Sequence, residues 1–242
     1  MPIRATNSLL LIDNVDFTPQ TTSWSVTAQA QGLDCTNLAS SAMTYTPGLP
    51  GGKIEHKGFY TGVGAGYLMY ELRTRIASGG NGVVTVLADT TATPTPAYTL
   101  TGSYGESLKV DAPAPNQLIT VDGAWMTNAL RCGKRIYSGT VSSTGNMTVF
   151  DFGSAGSAGG VFVLHVTGIV GSATNATISV QSATTSGGSY TTRATITLSA
   201  TGGYTATIAG TIDRYVRLSV GSLGGATSIT MQAILAVTNV TG

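Results

Sequence analysis

Residues 176–183 read ATISVQSA, and their alternation decides the fold class. In an extended chain Ile178 and Val180 fall on one side, while Thr177, Ser179 and Gln181 fall on the other. The same period of two recurs on both sides of this stretch. It runs through VFVLHVTGIV (161–170), YTTRATITLS (190–199), YTATIAGTI (204–212), RYVRLSV (214–220) and SITMQAILAV (228–237). Turn clusters GSATN, TSGGS, ATGG and GSLGGA separate these runs. That spacing predicts an antiparallel β-sandwich with Thr and Ser on its outer face.

Composition supports strands throughout. Only 10% of the 242 residues are charged, against roughly a quarter in an average globular chain. Gly, Thr, Ser and Ala take their place. The Thr, Val, Ile and Tyr content favours strand over helix. The formal net charge of +1 supplies no basic field for nucleic acid and no polybasic patch for anionic lipid. Such sparsely charged, near-neutral proteins are prone to self-association. The apolar run Leu9–Ile12 is too short for a signal peptide or a membrane span, so no membrane partner is expected. Cys35 and Cys132 belong to no metal-ligand spacing. A disulfide between them is open, and two reduced, partly buried thiols in a reducing cytoplasm is the expectation.

The chain changes texture near the Gly-Ser-Ala tract at 153–160. The expected domains are 1–146 and 147–242, the second a compact sandwich whose core alone can suffice. Strand candidates in the first half are SLLLID, SWSVTAQAQ, KIEHKGFYTG, NGVVTVLAD, AYTLTGSYGESLKV and NQLITVDGAW. One helix is expected over GYLMYELRTRIAS (66–78), where Leu68, Leu72 and Ile76 share a stripe. Glu71 and Arg75 form an i, i+4 pair, and Gly79-Gly80 ends the helix. A weaker helix candidate is WMTNALRC (125–132).

No constellation for chemistry emerges. The two histidines stand apart: His165 lies inside VFVLHVTG as a packed or edge residue, and His56 shares a strand face with Ile54 and Gly58. Asp13 and Asp16 bracket a turn but lack the further oxygen ligands of a calcium loop. GVGAGY (62–67) misplaces the third glycine of a nucleotide loop and suits the approach to a helix. Three Asn-x-Thr sequons are chance matches in a Thr-rich chain. No Ser elbow or carboxylate pair appears. The expectation is a protein without catalytic residues, metal or cofactor.

Assembly or binding remains. Residues 44–60, TYTPGLPGGKIEHKGFY, pair a stiff Pro-Gly segment with an alternating strand. Together with Ile12-Asp-Asn-Val-Asp16, Gly58-Phe-Tyr60, the helix and Ser107-Leu-Lys-Val-Asp-Ala-Pro113, this order of elements resembles the tail tube (major tail) proteins of long-tailed bacteriophages. The resemblance covers residues 8–140. The VQSA and IDRYVR runs resemble a sandwich appended to some such proteins and displayed on the particle's outer surface.

The resemblance implies a mainly β fold: a tail-tube-like β-barrel or sandwich with one short α-helix, then a C-terminal antiparallel β-sandwich. It implies a virion protein, assembled in the host cytoplasm, that forms stacked rings, usually of six subunits. DNA would pass through the lumen without sequence-specific binding, and edge strands of neighbouring subunits would pair around it. Partners would be the protein itself and other tail or capsid proteins. On this reading residues 32–53 form a loop arm that reaches a neighbouring subunit or ring, and Tyr45, Pro47, Leu49, Lys53, Glu55, His56 and Lys57 are subunit-interface candidates. Lumens in the family are negatively lined, whereas Asp and Glu are scattered along this chain. A capsid decoration or head-fibre protein is an alternative. A carbohydrate-binding module is another, with Tyr190, Tyr204 and Tyr215 as surface-binding candidates.

Overall fold

The computed structural model describes residues 8–34, 45–62, 64, 66–78, 82–90, 95–112, 114–115, 117–127, 130–153, 155–156 and 159–237, with the backbone alone at 29–34 and 45–50. Its first elements are β1 (Leu9–Ile12), β2 (Val15–Asp16), β3 (Thr21–Asp34), β4 (Tyr45–Phe59) and helix α1 (Leu68–Ser78). Then come β5 (Gly82–Leu87), β6 (Thr95–Asp111), β7 (Thr120–Thr127), β8 (Leu130–Val141), β9 (Gly145–Asn146) and β10 (Phe150–Asp151). The last six strands are β11 (Gly160–Gly171), β12 (Ala176–Ala183), β13 (Thr191–Leu198), β14 (Gly202–Ile208), β15 (Tyr215–Ser222) and β16 (Ala226–Val237). The fold is mainly β with antiparallel pairing, as the alternation predicts, and its sheets do not close into a barrel.

Two compact units emerge, each built from separate segments. Unit one takes Met1–Pro19, Gly82–Thr99 and Arg131–Gly242; unit two takes Gln20–Asn81 and Leu100–Leu130. The linear division expected at 146/147 therefore falls inside unit one.

In unit one, β11 is the central strand. It pairs with β14 on one side and β16 on the other, and β16 pairs with β8. A second sheet, ordered β10-β15-β12-β13, covers one face. There Phe162, Leu164 and Val166 pack with Ile178, Val180, Leu218 and Val220. On the opposite face Val161 and Val163 pack with Leu9, Leu11, Val83 and Leu87. VFVLHV, expected to alternate, has both faces covered, and every position of 161–166 is buried. Each of these fully buried side chains contributes roughly 1.5–3 kcal/mol. The outer face of the second sheet is polar, with Ser179 bonded to Thr195 and Gln181 to Thr192 across strands.

Strand β8 is absent from the sequence reading because Arg131, Lys134 and Arg135 break its apolar pattern. The structure accommodates them. Arg135 is buried and donates to the Thr90 carbonyl at 2.8 Å; Lys134 donates to the Phe152 carbonyl at 2.9 Å. Cys132 is exposed rather than partly buried, and Cys35 lies outside the described residues.

Unit two is the sheet β3-β4-β7-β6, the last through its residues from Leu100 on, with α1 on one face. The helix buries Leu68 and Leu72, as its stripe predicts, but Ile76 is 41% exposed. Gln20 fastens its start: Oε1 accepts from the Leu68 amide at 3.1 Å and Nε2 donates to the Gly66 carbonyl at 3.2 Å. Gly66, at φ +84, supplies the turn that any other residue would find strained. Residues 125–127 and 130–132 are strand rather than helix, and 128–129 lie outside the described residues. Trp125 and Thr127 end β7 and Leu130 begins β8, because burial there follows the strand period through Val121, Gly123 and Trp125.

Candidate assembly surface

The Pro-Gly segment expected as a loop is instead part of a strand. β3 and β4 pair antiparallel from Thr21↔Gly58 to Asp34↔Tyr45, making a long hairpin. β4 residues Gly52–Phe59 also pair with β7 on their other side, but Tyr45–Gly51 have only β3 among the described residues. The hairpin therefore runs out of the sheet as a two-stranded ribbon. Pro47 and Pro50 sit in it because a strand with a free side tolerates the missing N–H of proline. Prolines and glycines read as loop signals, which is why the strand was hidden.

Among the described residues β3 has no strand on its outer side. It is 14 residues long, holds neither proline nor lysine, and its only charge is Asp34 at the far end. Natural edge strands are usually short or blunted by charge, proline or bulges. Here the blunting is limited to two register shifts, at Thr21/Ser23 and Ala30/Gly32. A long uncharged edge is a template for another chain.

The sheet's two faces differ. Towards the helix lie Ile54, His56, Val121 and Trp125, all buried. His56 is 3% exposed, and neither ring nitrogen has a hydrogen-bond partner among the described residues. Burial pushes its pKa down to about 4. A side chain so placed packs the helix against the sheet and is not available to another subunit.

The opposite face is open and charged. Ser23, Lys57, Asp122 and Lys109 form one row across four strands, and Ser25, Glu55, Ala124 and Ser107 the next. Small side chains in the second row leave a shallow depression of about 460 Å³. Lys53 bonds Glu55 at 2.8 Å and Glu106 at 2.9 Å, Lys57 lies 3.7 Å from Asp122, and Lys109 lies 3.2 Å from Asp111. The hydrogen bonds with Glu55 and then Glu106 hold the Lys53 pKa above its ordinary value, and the bond from Lys53 lowers that of Glu55. Four carboxylates thus meet three lysines on a face whose acidic residues look scattered in sequence. Glu106, Lys109 and Asp122 were missed; the period-two spacing of Lys53, Glu55 and Lys57 was their only forerunner.

Of the seven interface candidates, Lys53, Glu55 and Lys57 share this open face and His56 lies behind it. Tyr45, Pro47 and Leu49 are in the ribbon; their side chains lie outside the described residues. Each of the three tyrosines of the second half has its own partner. The Tyr190 ring lies under the Arg217 guanidinium at 4.0 Å, and Tyr215 lies 5.2 Å from that of Arg214. Tyr204 packs against the core and donates to the Ala200 carbonyl at 2.8 Å. Asp13 accepts from the Val83 amide and Asp16 from the Thr18 amide, which are turn and capping roles. Among the described residues no group of three or more His, Cys, Asp or Glu is placed to hold a metal ion.

No protein-family model matches this chain, and no curated protein matches it. Solved structures similar to it include components of phage and phage-like tails. One is the sheath–tube complex of an extracellular contractile injection system, PVC, in the extended state: 12% identity over 54% of this chain and 90% of that one, TM-score 0.40. Another is the SPP1 tail tube, at 11% identity over 56% and 81%, TM-score 0.42. The SPP1 Dit protein, of the hub adsorption apparatus, aligns over 95% and 98% at 12% identity, TM-score 0.34.

Proposed function

We propose that this protein is a structural subunit of a phage tail that self-assembles into stacked, hexameric rings forming a tube for DNA. The observation that carries this reading is the β3 edge. A 14-residue strand with one charge and, among the described residues, no outer neighbour is an aggregation hazard in a monomer. A head-to-tail contact that closes by rotation removes that edge for every subunit at once.

The open face supports a lumen role. Its lysines are each held by a carboxylate, so it offers no run of free cations to grip phosphates and retard DNA. The polar outer side of strands β12, β13 and β15 suits residues 147–242 to outward display. Localisation to the virion follows, with the protein itself and other tail proteins as partners.

Negative-stain microscopy and sedimentation velocity of the purified protein test the reading. Rings or tubes are expected. A monodisperse monomer at high concentration would overturn it, and discrete small particles that never extend would favour a capsid decoration protein instead.

A further inference from the structure

Two runs in unit one, VQSATTSGGSY (180–190) and IDRYVR (212–217), converge on one side chain, Arg217. Gln181 and Arg217 face each other across β12 and β15, and Arg217 Nε donates to Gln181 Oε1 at 2.8 Å. Gln181 is held in turn, its Nε2 donating to the Thr192 hydroxyl at 3.3 Å. The Tyr190 ring lies 4.0 Å from the guanidinium. Gln181, Thr192 and Tyr190 thus fix a group that is otherwise a mobile surface cation. The bond to Gln181 uses Nε alone. The fork of the two terminal nitrogens has no bonded partner among the described residues.

Residues 147–242 contain three arginines, two carboxylate side chains and no lysine. Two of the arginines already have carboxylates. Arg193 binds Asp213, and Arg214 binds both oxygens of Asp151, at 2.9 and 2.7 Å. Asp151 lies opposite Tyr215, one row from Arg217 on the same face, but Arg214 and the Gly153 amide occupy it. Arg217 is therefore the cation of this segment that lacks a carboxylate among the described residues. The row on its other side is Asn146, Ser219, Ser179 and Thr195, about 7 Å away along the strands. Those side chains donate and accept hydrogen bonds without adding charge.

A fixed guanidinium beside a row of hydroxyls suits an acidic sugar. A uronate carboxylate fits the free fork with two parallel hydrogen bonds, and the sugar's hydroxyls meet those of the row. One cation is too few for the other polyanions, since nucleic acid and anionic bilayers are held by several lysines or arginines together. We infer that the outer face of β12, β13 and β15 binds an acidic polysaccharide through Arg217, with Gln181 and Tyr190 as positioning residues. This rests on the outward display of residues 147–242 and not on tube formation.

Calorimetric titration of the whole protein with alginate, a polyuronate, tests the inference. Dextran is the neutral counterpart and polyglutamate the acidic peptide. The wild type should bind alginate, ignore dextran and bind polyglutamate more weakly. Arg217→Gln should lower alginate affinity by about tenfold or more, as loss of hydrogen bonds to a charged group does. Arg217→Lys keeps the charge without the fork and should fall between. Tyr190→Phe should bind like the parent, whereas Tyr190→Leu, which frees the guanidinium but leaves its charge, should bind more weakly. Lys109→Gln, in unit two, controls for overall charge and should change nothing. Urea midpoints identify the folded variants, and Arg217→Lys with Tyr190→Leu decides the matter if Arg217→Gln does not fold. Absence of alginate binding, unchanged affinity in folded Arg217→Gln, an equal loss in Lys109→Gln, or polyglutamate bound as tightly as alginate would overturn the inference. Micrographs of the same preparations read assembly separately, so tubes that ignore alginate would remove this inference and leave the tube reading standing.

Discussion

His165 Nδ1 lies 2.7 Å from the carbonyl oxygen of Asp13, a residue 152 positions earlier in the chain. A carbonyl only accepts, so Nδ1 carries the proton and donates. The other ring nitrogen, Nε2, lies 2.7 Å from the Thr85 hydroxyl, which in turn lies 2.9 Å from that of Thr99. In the neutral ring Nε2 accepts from Thr85. His165 is fully buried, and this chain of bonds ties β11 to the β1–β2 turn and to β5. Asp13 completes the link at φ +50, its carboxylate accepting from the Val83 amide at 2.8 Å.

Acid should unfold the protein through its histidines. Burial lowers the folded-state pKa of His165 to about 3 and that of His56 to about 4, against an ordinary value near 6.5. Above pH 6.5 both states hold neutral rings and the histidines have no pH effect. Below it the unfolded chain takes up protons that the folded one refuses, so stability falls with pH until the folded pKa is reached. From about 6.5 to about 4, at 1.36 kcal/mol per pH unit, the loss is on the order of 3 kcal/mol for His56, and somewhat more for His165. Urea midpoints at pH 7.5 and 4.5 measure this. His165→Gln, whose amide can donate to Asp13 and accept from Thr85, should flatten the acid loss of unit one. An unchanged slope would show that carboxylates alone set it.

Gly123 should be intolerant of any side chain. A Cβ there would lie 2.8 Å from His56 Cε1 and closer still to a methyl of Leu72, and both side chains are buried between sheet and helix. Gly123→Ala is expected to destabilise by about 1–3 kcal/mol through forced displacement of α1. Gly187→Ala, with nothing within 4 Å of its Cβ, is the control and should stay within about 0.5 kcal/mol. Thermal melts of the two variants make the comparison; equal midpoints would mean that the helix yields freely.

Much of this fold is legible in the sequence because period-two burial leaves a direct mark. Ile178 and Val180 point inward as their spacing requires, and so do Leu68 and Leu72 of the helix. Legibility ends where tertiary partners change what a residue can do. Arg135 belongs to a strand because the Thr90 carbonyl receives its guanidinium, a partner 45 positions away. Pro47 and Pro50 signal a loop until the strand holding them proves to have only β3 beside it there among the described residues. The charged face is invisible for a related reason. Glu55, Glu106 and Asp122 come from three strands, and only the register of β4, β7 and β6 gathers them.

Trimming the ribbon should separate folding from assembly. Residues Gln29–Asp34 and Tyr45–Gly51 pair only with each other among the described residues. The remainder of β3 has β4, and the remainder of β4 has both β3 and β7. Replacing residues 29–51 by Asn-Gly joins Ala28 to Gly52, which already face each other in the register, through a two-residue turn that matches strand twist. A two-stranded ribbon is at best marginally stable in water without a partner, so its loss removes little from the subunit's own stability. The trimmed protein should keep its far-UV β signal and a urea midpoint within about 1 kcal/mol of the parent. It should form no tubes. Tubes from the trimmed protein would place the contacts elsewhere, and a lost β signal would make the ribbon part of the subunit's own fold.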